Sequence, residues 1–139
     1  MTSPTLKHKP LLDLDAVKRI AAAAEAEALG HGWAVSIAVV DDGGHLLWLQ
    51  RLDGAAPVSS HIAPAKARTA ALGRRESRAY EEMINQGRMS FLSAPELAGM
   101  LEGGVPIVVD GHCVGAVGVS GVKSVEDAQI AKAGIAALG

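Results

Sequence analysis

Residues 35–55 read VSIAVVDDGGHLLWLQRLDGA, and residues 103–121 read GGVPIVVDGHCVGAVGVSG. Each stretch has an apolar, β-branched run, an Asp/Gly turn and a second strand. Each then ends in a loop of small residues that opens a helix. Turns that need φ > 0 select Gly, Asn or Asp, so Asp42-Gly43-Gly44 and Asp110-Gly111 predict two β-hairpins. A small-residue loop before a helix lets backbone N–H groups approach a ligand. This directs attention to Asp53-Gly54 after the first hairpin and to Ser120-Gly121 after the second.

Working outward, Asp13 or Asp15 is placed to cap a helix that runs to about Leu29 and is stopped by Gly30. Val17, Ile20, Ala21, Ala24 and Ala28 share one face of it. Strands are expected at about 34–41 and 45–52, both apolar enough to be covered on both faces. Ser59 or Ser60 is placed to cap the next helix, with Pro64 near its first turn and Gly73 at its end. A charged helix is expected over 76–86, a loop over 87–94 and a short helix over 95–102. A fifth strand is sought in 88–93. The second hairpin spans 105–109 and 112–119. The last helix runs from Ser124 to about Leu138, with Val125, Ala128, Ala131, Ile135 and Leu138 on one stripe and Ser124 and Asp127 forming a capping box. Residues 1–12 read as a flexible arm and 13–139 as a single domain. Two hairpins with helices make an α+β fold, an antiparallel sheet flanked by helices.

The 139-residue chain is 49% hydrophobic and 20% charged, which is globular composition. Aromatics make up only 3%, so Ala, Val, Leu and Ile must build the core. Few aromatics and a net charge of −2 with scattered basic residues argue against nucleic acid as a partner. No apolar run is long enough to span a membrane, and the polar first ten residues do not read as a secretory signal. The single cysteine, Cys113, excludes an intramolecular disulfide and fits a cytoplasmic location. Alanines at 21–24 and 133–137 permit close helix approach, which with the high apolar content predicts a homo-oligomer.

No metal-ligand spacing and no P-loop are present. Gly118-Val119-Ser120-Gly121 is one residue short of a nucleophile elbow, and Gly115 and Gly118 read as close-packing glycines. Lys66 sits among Ala63, Ala67, Ala70 and Ala71, which predicts a partly buried lysine with Asp53 as its partner. A polar cleft floored by Asp53 and Lys66, with Ser120 opposite, suits a carboxylate. The plain alternative for Lys66 is a solvated helix lysine. Arg51 is placed either to fork onto an acid or to guard a strand edge. Among the five histidines, His61 is the first candidate for an axial imidazole ligand, because it lies between the Asp53 loop and Lys66, and His45 is the second. Cys113 beside His112 suits iron ligation or thiolate chemistry, or plain packing as a small hydrophobe.

Several segments together carry a family resemblance: IAVVDDGGHL (37–46), RLDGA (51–55), IAPAKARTA (62–70), GGVPIVVDGHCVGAVGVSG (103–121), Glu126-Asp127 and IAKAG (130–134). Taken in order, they resemble the GlcG/HbpS-like haem-binding family, and also the C-terminal domain of PduO-type corrinoid adenosyltransferases. The resemblance runs from about Leu14 to Leu138. It implies a profilin-like or roadblock-like sheet of about five antiparallel strands, and haem or another tetrapyrrole as ligand. It also implies assembly as dimers that associate further, up to octamers. The expected ligand-binding residues are Arg51, Asp53, Gly54, Lys66, Ser120 and Gly121. On this reading the protein is a tetrapyrrole sensor, carrier or accessory factor. The alternative is an enzyme or accessory protein of small organic-acid or aromatic catabolism that holds a carboxylate in the Asp53/Lys66/Ser120 cleft.

Overall fold

The computed structural model describes residues 4–139, so the first three residues of the expected arm lie outside the described residues. The chain forms helix α1 (Leu14–Gly30), strands β1 (Ser36–Asp41) and β2 (Leu46–Arg51), and helices α2 (Ser59–Gly73) and α3 (Ser77–Asn85). Strands β3 (Gly104–Val109) and β4 (His112–Ser120) follow, and helix α4 (Ser124–Ala136) ends the fold. The α+β class expected from the sequence holds. The sheet is antiparallel with order β2-β1-β4-β3, so it has four strands among the described residues, not five. Met89–Ser93, where a fifth strand was sought, is a 3-10 turn with no buried residue. Residues 95–102 are irregular and form no helix.

The helix ends follow local chemistry with small departures from expectation. Asp13 caps α1, its carboxylate accepting the Ala16 N–H at 2.8 Å. The helix runs through Gly30, and Gly32 closes it at φ +71°, with the Trp33 N–H donating back to the Ala28 carbonyl. Neither Ser59 nor Ser60 caps α2. The flanking residue is Val58, and the Ser59 hydroxyl donates instead to the Ala56 carbonyl at 2.6 Å. At α4, the Lys123 N–H is met by the Glu126 carboxylate. That leaves Asp127 free for another task.

The two faces of the sheet are packed differently. On one face, Ala38, Val40 and Ala116 meet Ala63, Ala67, Ala70 and Ala71 of α2. Ala38, Gly118 and Gly104 stand in one row across β1, β4 and β3. A Cβ at Gly118 would stand 2.1 Å from the Ala63 carbonyl oxygen, and one at Gly104 would stand 2.2 Å from that of Lys66. The α2 backbone therefore rests directly on the strands, the close-packing role expected for Gly118. On the other face, α1 and α4 cover Ile37, Val39, Ile107, Val117 and Val119 with Val17, Ile20 and Ile130. The alanines of α1 and the small residues of α4 serve this packing within the chain, since Gly134 lies close against Ile20 and Ala24. Val125, expected on the apolar stripe of α4, is exposed.

β2 also departs from expectation. It is an edge strand, and Leu46, Leu47 and Leu49 are exposed. Most leucines lie outside the core, and only Leu52 among them is buried. A closely seated helix leaves room for Ala and Gly beneath it, so the bulkier leucines fall at the margins.

Candidate functional site

In an antiparallel hairpin the turn lies at one end and the open ends lie at the other. Ser36 pairs with both Arg51 and Ser120, and Asp41 pairs with Gly115. The two small-residue loops therefore share one end of the sheet, and the two Asp/Gly turns share the other.

At the loop end, Gly54 and Gly121 both approach Ala34, so the structure brings the two predicted loops together. It does not bring Lys66 to Asp53. The Lys66 side chain is only 4% exposed, and its Nζ donates to the Val119 carbonyl at 2.9 Å and to Asp127 at 3.1 Å. The other Asp127 oxygen accepts the Val122 N–H at 3.2 Å. This buried pair ties α2 to the end of β4 and to the first turn of α4. Burial pushes the Asp127 carboxyl above its ordinary value, against the opposing pull of the Lys66 charge. The expectation of a partly buried, paired lysine is met with a different acid. The reason is that the inner face of α2 looks across the sheet toward α4 and not back along its own connecting loop.

Asp53 is exposed and lines a cleft of about 330 Å³ with Glu25, Leu29, Trp33, Ala34 and Leu52. Two carboxylates line this cleft and Lys66 is absent from it, so its charge opposes a carboxylate ligand. The Asp53/Lys66/Ser120 cleft of the organic-acid reading does not form. Ser120 is buried in β4, while Arg51 and His61 are exposed on β2 and on the first turn of α2.

At the turn end, one Asp41 oxygen accepts the N–H groups of Gly43 and His45, both at 2.9 Å. The same carboxylate lies 3.1 Å from His45 Nδ1. A Cβ at Gly43 would stand 2.8 Å from His45 Cε1, so the glycine makes room for the ring. The imidazole is held on its Nδ1 side, and Nε2 has no hydrogen-bond partner among the described residues. A carboxylate on one ring nitrogen with the other nitrogen open is the arrangement that orients a metal-binding histidine. Arg68 lies over Gly44 and pairs with Glu96 at 2.5 Å. Lys9 reaches across from the N-terminal segment to pair with Asp42, and hydrogen bonding to that lysine holds the Asp42 carboxyl below its ordinary value.

The sequence model described as "Haem degrading protein HbpS-like" matches residues 12–136. The chain belongs to this family. Protein GlcG of Escherichia coli (strain K12) is 56% identical to it over 115 residues, covering 83% of this chain and 85% of that protein. The crystal structure of HbpS superposes with a TM-score of 0.88 at 33% identity, covering 100% of this chain and 99% of that one. The crystal structure of a PduOC:heme complex superposes with a TM-score of 0.84 at 27% identity, covering 92% and 95%. The HbpS-like fold thus agrees with the family read from the glycine-punctuated hairpins.

This HbpS-like chain carries an Asp41-x-x-x-His45 spacing across a Gly-Gly turn. That spacing was visible, but only the folded turn shows the ring lying over Gly43.

Proposed function

We propose that this protein binds haem on an outer surface at the turn end of the sheet, with the Nε2 of His45 as the ligand to the iron. The observation that carries the reading is the His45 imidazole, oriented by Asp41 and seated over Gly43. The family description and the haem complex of PduOC supply the ligand. Exposed Leu46 and Leu47 beside His45 offer apolar surface to a porphyrin. Bound haem would supply a Lewis-acidic, redox-active iron. The residues of this chain contribute ligation, orientation and charge.

The cavities described have volumes from about 220 to about 390 Å³, at the small end for an enclosed ligand. One chain therefore does not wrap a macrocycle, and we infer that a second copy completes the wall. The exposed leucines of β2 support assembly as a homo-oligomer. Lys66 is withdrawn from any propionate role by its pairing with Asp127. Arg51 lies at the far end of β2 from His45, about 20 Å away along an extended strand.

Soret titration of the parent protein, His45→Ala and His61→Ala tests the proposal. The expected result is a lost or shifted Soret band in His45→Ala and a parent-like band in His61→Ala. If both variants match the parent, the ligand lies elsewhere and the reading fails. A second reading, haem degradation, rests on the family description. It predicts that the Soret band decays when a reductant and oxygen are supplied, whereas simple binding leaves it stable.

A further inference from the structure

The sheet ends in two edge strands, β2 and β3, and they are built differently. In an antiparallel ladder every second residue turns its N–H and C=O away from its neighbour. The Leu52 N–H donates inward to the Val35 carbonyl at 2.9 Å, and Gln50 and Trp48 pair with Ile37 and Val39 in the same phase. Leu49 and Arg51 therefore point their backbone groups outward, where no strand lies among the described residues. On β3 the Val119 N–H donates to the Gly103 carbonyl at 3.1 Å, which makes Gly104 and Pro106 the outward residues. Pro106 has no N–H, so the middle of that edge offers no donor. β2 has neither proline nor lysine, the usual guards of an open edge. The bulge in its ladder falls at Leu47 and leaves Trp48–Arg51 regular.

The side chains agree with the backbone. Ser36 meets Ser59 of α2, and Ala38 and Val40 pack in the α2 cluster. Their partners on β2 are Arg51, Leu49 and Leu46, which therefore stand on the α2 side of the sheet, yet all three are exposed. Leu47 and, beside the Gly44 turn, Leu72 of α2 are exposed as well. These four leucines leave on the order of 300 Å² of apolar surface open, the size at which a patch marks a contact. A two-fold axis counts that patch twice and adds the strand backbone, giving on the order of 1,000 Å², the lower bound for a specific interface. We propose that β2 pairs edge to edge with β2 of a second copy, antiparallel about a two-fold axis near Leu49, merging two four-stranded sheets into one of eight strands. Arg51 is the only charge in β2, and antiparallel pairing sets the two copies of it at opposite ends of the seam. The pairing specifies the second copy on which the haem reading draws. Every measurement below uses the haem-free chain, so its failure leaves ligation at His45 to its own titration.

The test combines sedimentation and amide hydrogen exchange on the full chain. The double variant Leu47→Lys/Leu49→Lys puts guarding lysines on β2, and Val108→Lys puts one on the exposed face of the other edge strand. All three positions are exposed, so circular dichroism of both variants should match the parent. The parent is expected to sediment with at least twice the mass of one chain at micromolar concentration. The double variant is expected to lose at least half of that mass, and Val108→Lys to keep it. In the parent, the outward amides of Leu49 and Arg51 are expected to exchange at least about tenfold more slowly than the Arg51 amide of the double variant. A parent that sediments as one chain, a double variant of parental mass, or an equal loss of mass in Val108→Lys would overturn the proposal. So would fast exchange at Leu49 and Arg51 in an assembled parent, which would show that the copies meet elsewhere.

Discussion

The two ends of the sheet carry similar residues and use them in opposite ways. At the loop end a lysine and an aspartate, Lys66 and Asp127, are buried and hydrogen-bonded to one another and to backbone. At the turn end Asp41, Asp42, Lys9, Arg74, His45 and His112 are exposed or half-exposed, and His45 and Arg74 keep unpaired nitrogens. The difference lies in what covers each end. Lys66 and Asp127 are enclosed between α2, the end of β4 and the first turn of α4, so these polar groups must satisfy one another. The turn-end groups are open to solvent, so they remain free to meet a ligand. Charged residues beside a glycine loop mark a site only where the fold leaves them open.

The largest way to break this contrast is to unpair the buried end. Lys66→Met should cost about 3–5 kcal/mol in denaturant unfolding, because it strands a buried carboxylate. The double variant Lys66→Met/Asp127→Leu should recover much of that loss, since burying both charges has its own cost. A single-variant loss below about 1 kcal/mol would place the pair in solvent. Next in size is Gly118→Ala. The added Cβ meets the Ala63 carbonyl at 2.1 Å. The backbone must shift, at about 1–3 kcal/mol, whereas Gly111→Ala in the exposed turn meets no neighbouring atom. That second substitution retains only the strain of a positive φ.

The pH dependence sharpens the same contrast. Burial raises the folded-state pKa of Asp127 above its ordinary 3.8, so in the window above that value the folded chain holds this proton more firmly than the unfolded chain. The Asp127 contribution to stability is therefore full below the ordinary value and declines as pH rises through the raised one. Asp127→Asn removes this decline, and its stability–pH curve should fall less steeply than the parent's in that window. At the turn end the sign is reversed. Asp42 is lowered by its hydrogen bond to Lys9, so its contribution is present above the ordinary carboxylate value and is lost as pH falls. The smallest effect belongs here. Lys9→Ala should change stability by less than about 1 kcal/mol, and salt should erase the change, because the pair is exposed.

The sequence by itself determined the hairpins, the helix that Asp13 caps, the close-packing role of Gly118 and the family. Each of these rests on local rules, namely turn chemistry, periodicity and the space a missing Cβ leaves. A paired lysine at 66 was also legible, because four alanines surround it along one helical face. Its partner was not, because Asp127 lies 61 residues away and only the stacking of α2 and α4 on opposite faces of the sheet brings the two together. The strand sought at 88–93 is a 3-10 turn that pairs with neither edge strand, β2 or β3. The orientation of the His45 ring was likewise beyond the sequence. Whether an imidazole is oriented or merely exposed depends on where a neighbouring carboxylate points, and that is settled only when the turn closes.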